Sequence, residues 1–138
     1  MIAKAAVIDA SVAVKWVIDE EGSERALMLR HSRLYAPDVW CSECANVLWK
    51  SLRRQELTRE EAEAAAALLS AAEIEIVPTR PLMERAVKLA ADLAHPVYDC
   101  VYLLTAIDLN IPLVTADERL QAKAARIAPI FTLKELSS

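Results

Sequence analysis

The sequence predicts an α/β fold, in the form of a three-layer αβα domain with a short-stranded central parallel sheet. Short apolar stretches that favour strands alternate along the chain with longer amphipathic stretches that favour helices. The first and fourth of these short stretches are almost wholly apolar, which is typical of parallel strands buried on both faces. No linker or internal repeat divides the chain, so we expect residues 1–138 to form a single domain.

Five stretches are expected to be strands: residues 3–8, 34–36, 74–77, 113–115 and 130–131, the last at an edge. Start signals mark several helices. Ser11 and Ser23 are predicted to open two of them, and Thr58-Arg59-Glu60-Glu61 is a capping box. Pro96 favours a break before a helix that begins near Val97. The helices are therefore expected over residues 11–17, 23–29, 39–54, 58–72, 81–94, 97–106 and 118–126.

The helix predicted over residues 39–54 has two distinct faces at about 100° per residue. Its apolar stripe contains Trp40, Cys41, Cys44, Ala45, Leu48 and Leu52. Its polar face contains Glu43, Asn46, Lys50 and Arg54. Glu43 is therefore expected to point away from the apolar stripe of its own helix.

Composition excludes several classes of ligand and location. The chain has one glycine, so it contains neither a Walker loop nor a dinucleotide-binding glycine loop. A net charge of −4 argues against binding nucleic acid through bulk electrostatics, although bound metal would neutralise part of the acidic charge. The chain has three cysteines, an odd count that favours a reducing compartment over a disulfide framework. We find no apolar run long enough for a membrane span and no secretory signal, so we expect a cytoplasmic protein.

Three aspartates are predicted to meet at one edge of the sheet. Asp9 ends the first strand, and Asp117 falls just past the carboxyl end of the fourth. Asp99 lies in the first turn of an apolar helix, where the helix dipole favours negative charge. Ligand sites of open α/β folds lie at the carboxyl ends of the strands. Each aspartate taken singly is equally well interpreted as a helix-capping or first-turn residue.

Four segments resemble one family. Val7-Ile8-Asp9-Ala10-Ser11-Val12-Ala13-Val14-Lys15-Trp16 resembles the opening of a PIN-domain ribonuclease, specifically of the VapC-like toxins of type II toxin–antitoxin systems. The segments 43–48, 98–103 and 113–120 resemble the family's other three acidic motifs, in the family's order. The match spans nearly the whole chain.

The resemblance implies a metal-dependent endoribonuclease, with Asp9, Glu43, Asp99 and Asp117 as catalytic and metal-binding residues. Asp9 and Asp99 would be direct ligands of Mg²⁺ or Mn²⁺, Asp117 would lie close by or on a second ion, and Glu43 would act through water. Independently, Mg²⁺ or Mn²⁺ held by carboxylates supplies what phosphodiester hydrolysis needs. The resemblance also implies a cognate antitoxin whose C-terminal segment covers this edge, and a homodimer that widens an RNA groove.

Other residues are candidates for supporting roles. Ser11 and Thr115 are expected either to position ligands or the scissile phosphate, or to act as ordinary capping hydroxyls. Asn46 follows Glu43 by three positions and would steady it, unless it simply faces solvent. Four basic residues are candidates for contacts with backbone phosphates, or are merely solubilising: Lys15, Lys50, Arg53 and Arg54.

Three alternatives stay open at this point. The first is a housekeeping RNA-processing nuclease of the same fold. The second is a thioredoxin-like redox protein that uses Cys41 and Cys44, which form a Cys-x-x-Cys pair. Their position on the apolar stripe instead indicates small buried thiols. The third is a non-catalytic acidic interaction module, which would show no specific stabilisation by Mn²⁺.

Overall fold

The computed structural model describes residues 4–136, which contain a five-stranded parallel sheet. The strands are β1 (Ala5–Ile8), β2 (Arg33–Pro37), β3 (Glu75–Val77), β4 (Leu113–Thr115) and β5 (Ile130–Thr132). Their spatial order is β3-β2-β1-β4-β5. All five predicted strands are confirmed. Residue 3, the first residue of the predicted first strand, lies outside the described residues. The same holds for both ends of the predicted 1–138 domain.

Seven α-helices connect and flank the strands within residues 4–136. They are α1 (Ala10–Ala13), α2 (Ser23–Met28), α3 (Val39–Arg53), α4 (Arg59–Ser70), α5 (Met83–Leu93), α6 (Val97–Leu109) and α7 (Glu118–Ala124). Single 3₁₀ turns follow α1, α2 and β5 and precede α5. The predicted capping box is confirmed, because Thr58 and Glu61 exchange both of its hydrogen bonds. None of the described helices is both long and apolar enough to cross a membrane.

The centre of the sheet is covered on both faces. Val7 and Ile8 in β1, and Leu113 and Val114 in β4, are fully buried. Consecutive residues of a strand point to opposite faces, so both faces must pack against other elements. Helix α6 packs against β1, β2 and β4, and α1 and α3 also pack against strands of the sheet. The predicted three-layer αβα arrangement is confirmed.

The register of β1 and β4 brings the carboxyl ends of these two strands together. The two strands are direct neighbours, with Val7 opposite Leu113 and Ile8 opposite Val114. Because they are parallel, both carboxyl ends lie at the same edge of the sheet. Asp9 follows the end of β1 there, and Thr115 ends β4. We call this edge, with Asp9, Glu43, Asp99 and Asp117, the acidic pole.

Two local predictions are wrong. Ser11 does not open the first helix: the N-cap of α1 is Asp9, whose side chain accepts a hydrogen bond from the Val12 amide. An aspartate directly at the strand end reaches the free amides first, because the helix begins at the next residue. Cys41 is exposed rather than buried in the apolar stripe of α3, whereas Trp40 and Cys44 of that stripe are buried.

Candidate active site

Asp9 is held from several sides. Its Oδ1 accepts hydrogen bonds from the Val12 amide at 3.2 Å and from the Ser11 hydroxyl at 2.5 Å. Its Oδ2 accepts a hydrogen bond from the Thr115 hydroxyl. Burial raises the pKa of Asp9 from 3.8 to about 6, the hydrogen bonds oppose that rise, and the negative charge of Asp99 adds to it. The carboxylate is thus fixed in orientation while its charge lacks compensation.

Ser11 and Thr115 link the two strand ends. The Ser11 hydroxyl donates to Asp9 and accepts from the Ala116 amide at 3.1 Å. The fully buried Thr115 hydroxyl donates to Asp9 and accepts from the Asp117 amide at 3.0 Å. Neither hydroxyl caps a helix. Both connect β1 to the loop after β4, so that Asp9 and Asp117 are positioned together.

Asp99 enters the pole from the first turn of α6, as expected. Its Oδ2 lies 2.6 Å from Nε2 of His95, whose side chain is only 9% exposed. The Asp99 charge contributes to the raised pKa values of both Asp9 and Glu43. This mutual influence places the three carboxylates in one electrostatic cluster.

Asp117 is the N-cap of α7. Its Oδ1 accepts hydrogen bonds from the amides of Arg119 at 2.9 Å and Leu120 at 3.2 Å. Asp117, Asp99 and His95 each offer a ligand atom, and these atoms lie within 4.8 Å of one another. The capping interpretation of Asp117 is therefore confirmed, and the same residue belongs to a group that could hold a metal ion.

Glu43 joins the pole from α3 and is half-buried rather than solvated. Burial raises its pKa, Asp99 raises it further, and the Tyr102 hydroxyl opposes the rise. Glu43 Oε1 and the Tyr102 hydroxyl oxygen are both sealed from solvent, and neither has a partner in proper hydrogen-bond geometry. A buried carboxylate oxygen without a partner is costly, and a bound cation or an ordered water would compensate it.

Across residues 4–136 no lysine or arginine forms an ion pair with any of these four carboxylates. Crowded carboxylates without a counter-charge repel each other, which agrees with the raised pKa values of Asp9 and Glu43. An oxygen-rich set of this kind, with one orphaned buried oxygen, fits a hard divalent cation. The residues present are thus suited to the metal that the sequence predicted.

The remaining supporting candidates have little connection with the pole. Asn46 is exposed, and no hydrogen bond joins it to Glu43 in the part of the chain described. The Lys15 ammonium already donates to Glu20 and to the Glu21 carbonyl. Arg53 lies ten residues after Glu43, which places it about 15 Å farther along α3, and its guanidinium stacks over the Trp49 ring. Lys50 is exposed, and Arg54 lies 4.0 Å from Glu56.

Sequence patterns assigned no role at the site to His95 or Tyr102. A histidine four residues before Asp99 is a recognisable spacing, but the intervening Pro96 breaks the helical register that gives such spacing its meaning. Tyr102 lies in a helix that is apolar nearly all round, so periodicity does not show which of its residues face Glu43.

The surroundings of the cysteines do not support a redox site. Cys41, Cys44 and Cys100 are free thiols, and Cys44 and Cys100 are buried. Burial, the neighbouring Cys41 and the carboxylates of Glu43 and Asp9 raise the pKa of Cys44 to about 12. Reactive Cys-x-x-Cys sites lie in positively charged surroundings that stabilise a thiolate, whereas the carboxylates near this pair are negative. The thioredoxin-like alternative is therefore not supported.

Comparisons with known proteins agree with this architecture. A family model described as "PIN domain" matches residues 6–126. Ribonuclease VapC1 of Mycobacterium tuberculosis is 31% identical over 120 residues, which cover 84% of this chain and 88% of that protein.

Two solved structures share the fold. The structure of PAE2754 from Pyrobaculum aerophilum aligns with a TM-score of 0.73 and 21% identity, covering 94% of this chain and 84% of that one. A toxin–antitoxin complex from Klebsiella pneumoniae aligns with a TM-score of 0.68 and 17% identity, covering 95% of this chain and 99% of that one.

Proposed function

The chain belongs to the PIN-domain family, and from that premise we propose that it is a metal-dependent endoribonuclease and the toxin of a toxin–antitoxin pair. The observation that carries the proposal is the acidic pole. Four carboxylates from four separate segments meet at the carboxyl edge of a parallel sheet, and no lysine or arginine of residues 4–136 pairs with them. The name of the relative VapC1, a ribonuclease, supports RNA as the substrate.

We propose Mg²⁺ or Mn²⁺ as the cofactor, with Asp9, Asp99 and Asp117 as direct ligands and Glu43 in contact through water. When bound, such an ion activates water and neutralises charge on the phosphoryl oxygens. Ser11 and Thr115 orient Asp9 through hydrogen bonds to both of its oxygens. Glu43 accepts a hydrogen bond from the attacking water, and its raised pKa makes it a stronger base.

The proposed partners follow from the same relatives. A toxin–antitoxin complex among the structural neighbours supports a cognate antitoxin as the partner. We propose that this antitoxin covers the acidic pole. We further propose a homodimer in the cytoplasm. Leu27 on α2 is 43% exposed and Leu68 on α4 is 64% exposed, which leaves apolar side chains on both helices for contact with a second copy.

The test of the activity is RNA cleavage by the purified chain. We expect single-stranded RNA to be cut internally with Mg²⁺ or Mn²⁺ and to stay intact when the metal is chelated. Asp9→Asn should be inactive under every condition. If the protein binds Mn²⁺ but cuts no RNA, or if Asp9→Asn cuts as well as the wild type, the catalytic proposal is wrong.

The biological role needs a separate experiment. The neighbouring reading frame should encode a small protein that co-purifies with this chain and blocks its RNA cleavage. If RNA is cleaved but no neighbouring product binds or inhibits the enzyme, the housekeeping RNA-processing alternative replaces the toxin role.

A further inference from the structure

The connection between α5 and α6 consists of three residues, Ala94, His95 and Pro96, in a constrained conformation. Ala94 adopts the left-handed region, with φ 50° and ψ 52°, although it is not glycine. The Lys123 ammonium from α7 donates to the Ala94 carbonyl at 2.9 Å. Left-handed conformations of non-glycine residues are unfavourable and concentrate at functional sites.

This connection directs the His95 imidazole into the acidic pole. Pro96 restricts His95 to extended backbone conformations. The His95 side chain is only 9% exposed, and its Nε2 lies 2.6 Å from Asp99 Oδ2. The His95 amide donates to the Ala90 carbonyl at 3.2 Å, which attaches the residue to the end of α5. The imidazole is thus held in place from its backbone as well as at its tip.

Asp117 completes a group of three ligand atoms. A ligand atom from each of His95, Asp99 and Asp117 lies within 4.8 Å of the other two. Neighbouring ligands of an octahedral cation are about 3 Å apart and opposite ligands about 4 Å apart. Small side-chain rotations therefore bring all three around one ion. Asp117 Oδ1 is occupied by the capping amides of Arg119 and Leu120, which leaves its second oxygen for this purpose.

We propose that His95 supplies an imidazole nitrogen to the divalent cation held by Asp99 and Asp117, so that the centre has mixed nitrogen and oxygen ligands and prefers Mn²⁺ to Mg²⁺. Mg²⁺ in proteins takes oxygen ligands, whereas imidazole suits first-row transition ions. The inference rests on the proposed metal-dependent function. It goes beyond a site made only of carboxylates, because it assigns a nitrogen ligand from outside the four acidic motifs.

The other role open to His95 is to orient Asp99 through the hydrogen bond alone. His95→Gln separates the two roles, because glutamine carries an amide N–H that reaches nearly as far as Nε2. The variant can still donate to Asp99, but it offers no imidazole to a metal. His31→Asn is the matched control, since His31 is exposed and is the other histidine of the chain.

The experiment uses the full chain with Mn²⁺ alone, in the absence of RNA. Pulsed electron paramagnetic resonance of the Mn²⁺-loaded protein should show coupling to one imidazole nitrogen in the wild type and in His31→Asn, and none in His95→Gln. Titration calorimetry should show Mn²⁺ affinity reduced by about tenfold or more in His95→Gln, with Mg²⁺ affinity reduced much less.

Mn²⁺ bound to the wild type without nitrogen coupling would overturn the proposal and leave the nuclease function intact. Equal losses of Mn²⁺ and Mg²⁺ affinity in His95→Gln would also overturn it. A wild-type protein that binds neither ion would instead contradict the metal-dependent function itself. Circular dichroism of metal-free His95→Gln establishes that any loss of binding occurs in a folded protein.

Discussion

The two ends of α6 carry aspartates in opposite circumstances. Asp108, near the C-terminal end, receives two hydrogen bonds from Arg85, both 2.9 Å long, and this guanidinium lowers its pKa. Asp99, at the N-terminal end, has no lysine or arginine partner within residues 4–136, and its charge raises the pKa of Asp9. The helix dipole favours negative charge at Asp99 and disfavours it at Asp108.

The two aspartates differ in whether the chain supplies a cation that compensates the negative charge. At Asp108 the chain itself provides the compensating cation. At the acidic pole four carboxylates meet hydroxyls, amides and one histidine, and no lysine or arginine of residues 4–136 forms an ion pair with them. We infer that the compensating charge at the pole comes from outside the chain, as a divalent ion or as a cationic side chain of an inhibitor.

The largest expected effect concerns RNA cleavage by aspartate variants of α6. Asp99→Asn should lose about 10³-fold or more in cleavage rate, because Asp99 is a proposed metal ligand and the loss of such a ligand costs several kcal/mol of transition-state stabilisation. Asp108→Asn, which alters the same residue type in the same helix, should retain wild-type activity. Rates are measured with an RNA oligonucleotide at saturating Mn²⁺. Equal losses in the two variants would remove the functional distinction between the ends of α6.

The next effect is stabilisation by metal. A ligand that binds only the folded state at a hundredfold excess over its Kd stabilises that state by about 2.7 kcal/mol. Mn²⁺ should therefore raise the midpoint of thermal unfolding of the wild type and of Asp108→Asn. It should have little effect on Asp99→Asn or Asp9→Asn. An equal rise in all four proteins would indicate binding elsewhere and would favour a non-catalytic acidic module.

The pH dependence of stability in the metal-free protein tests whether the Asp9 charge is uncompensated in the folded state. The pKa of Asp9 is about 6 in the folded protein against an ordinary value of 3.8. Between these values the folded state keeps a proton that the unfolded chain has lost, so stability falls as the pH rises from about 4 to about 6. Two units of pKa correspond to at most about 3 kcal/mol.

Asp9→Asn removes this titration. The free energy of unfolding of Asp9→Asn minus that of the wild type should therefore become more positive between pH 4.5 and pH 7, which means that the variant gains stability relative to the wild type, whatever the substitution costs at either pH. Urea unfolding in the presence of a chelator measures this difference. A difference that stays constant with pH would show that Asp9 carries no uncompensated charge in the folded state.

The elements of the pole were predictable from sequence because each has a local signal. Asp9 and Asp117 follow apolar strands, and Asp99 follows a proline that starts a helix. The interpretation of Asp9 and Asp117 as caps is also correct, because a carboxylate has two oxygens. Oδ1 of Asp117 serves the amides of α7 and leaves the other oxygen for the site. The local sequence pattern therefore could not distinguish helix capping from a place in the acidic pole, because one aspartate can serve both.

The contacts that His95 and Tyr102 make with the carboxylates of the acidic pole were not predictable from the sequence. His95 reaches Asp99 because Ala94 adopts a left-handed conformation, which sequence signals through glycine or asparagine and not through alanine. Glu43 was expected to point away from the apolar stripe of its own helix. It is half-buried, and the Tyr102 hydroxyl of α6 acts on its pKa. Pairings between distant segments of this kind leave no mark in the periodicity of either segment.

The smallest expected effect concerns the hydroxyl that faces Glu43. Tyr102 is 1% exposed, and burial together with the Glu43 charge raises its pKa, so its hydroxyl stays protonated. Tyr102→Phe removes the one group that opposes the raised pKa of Glu43. The acidic limb of the pH–rate profile should then move to higher pH, with less than about a tenfold loss of activity near pH 7. Tyr98→Phe, at a side chain that is 62% exposed, should leave the profile unchanged. An unshifted profile in Tyr102→Phe would mean that Glu43 does not titrate in the catalytic step, and its role would then be confined to binding the metal through water.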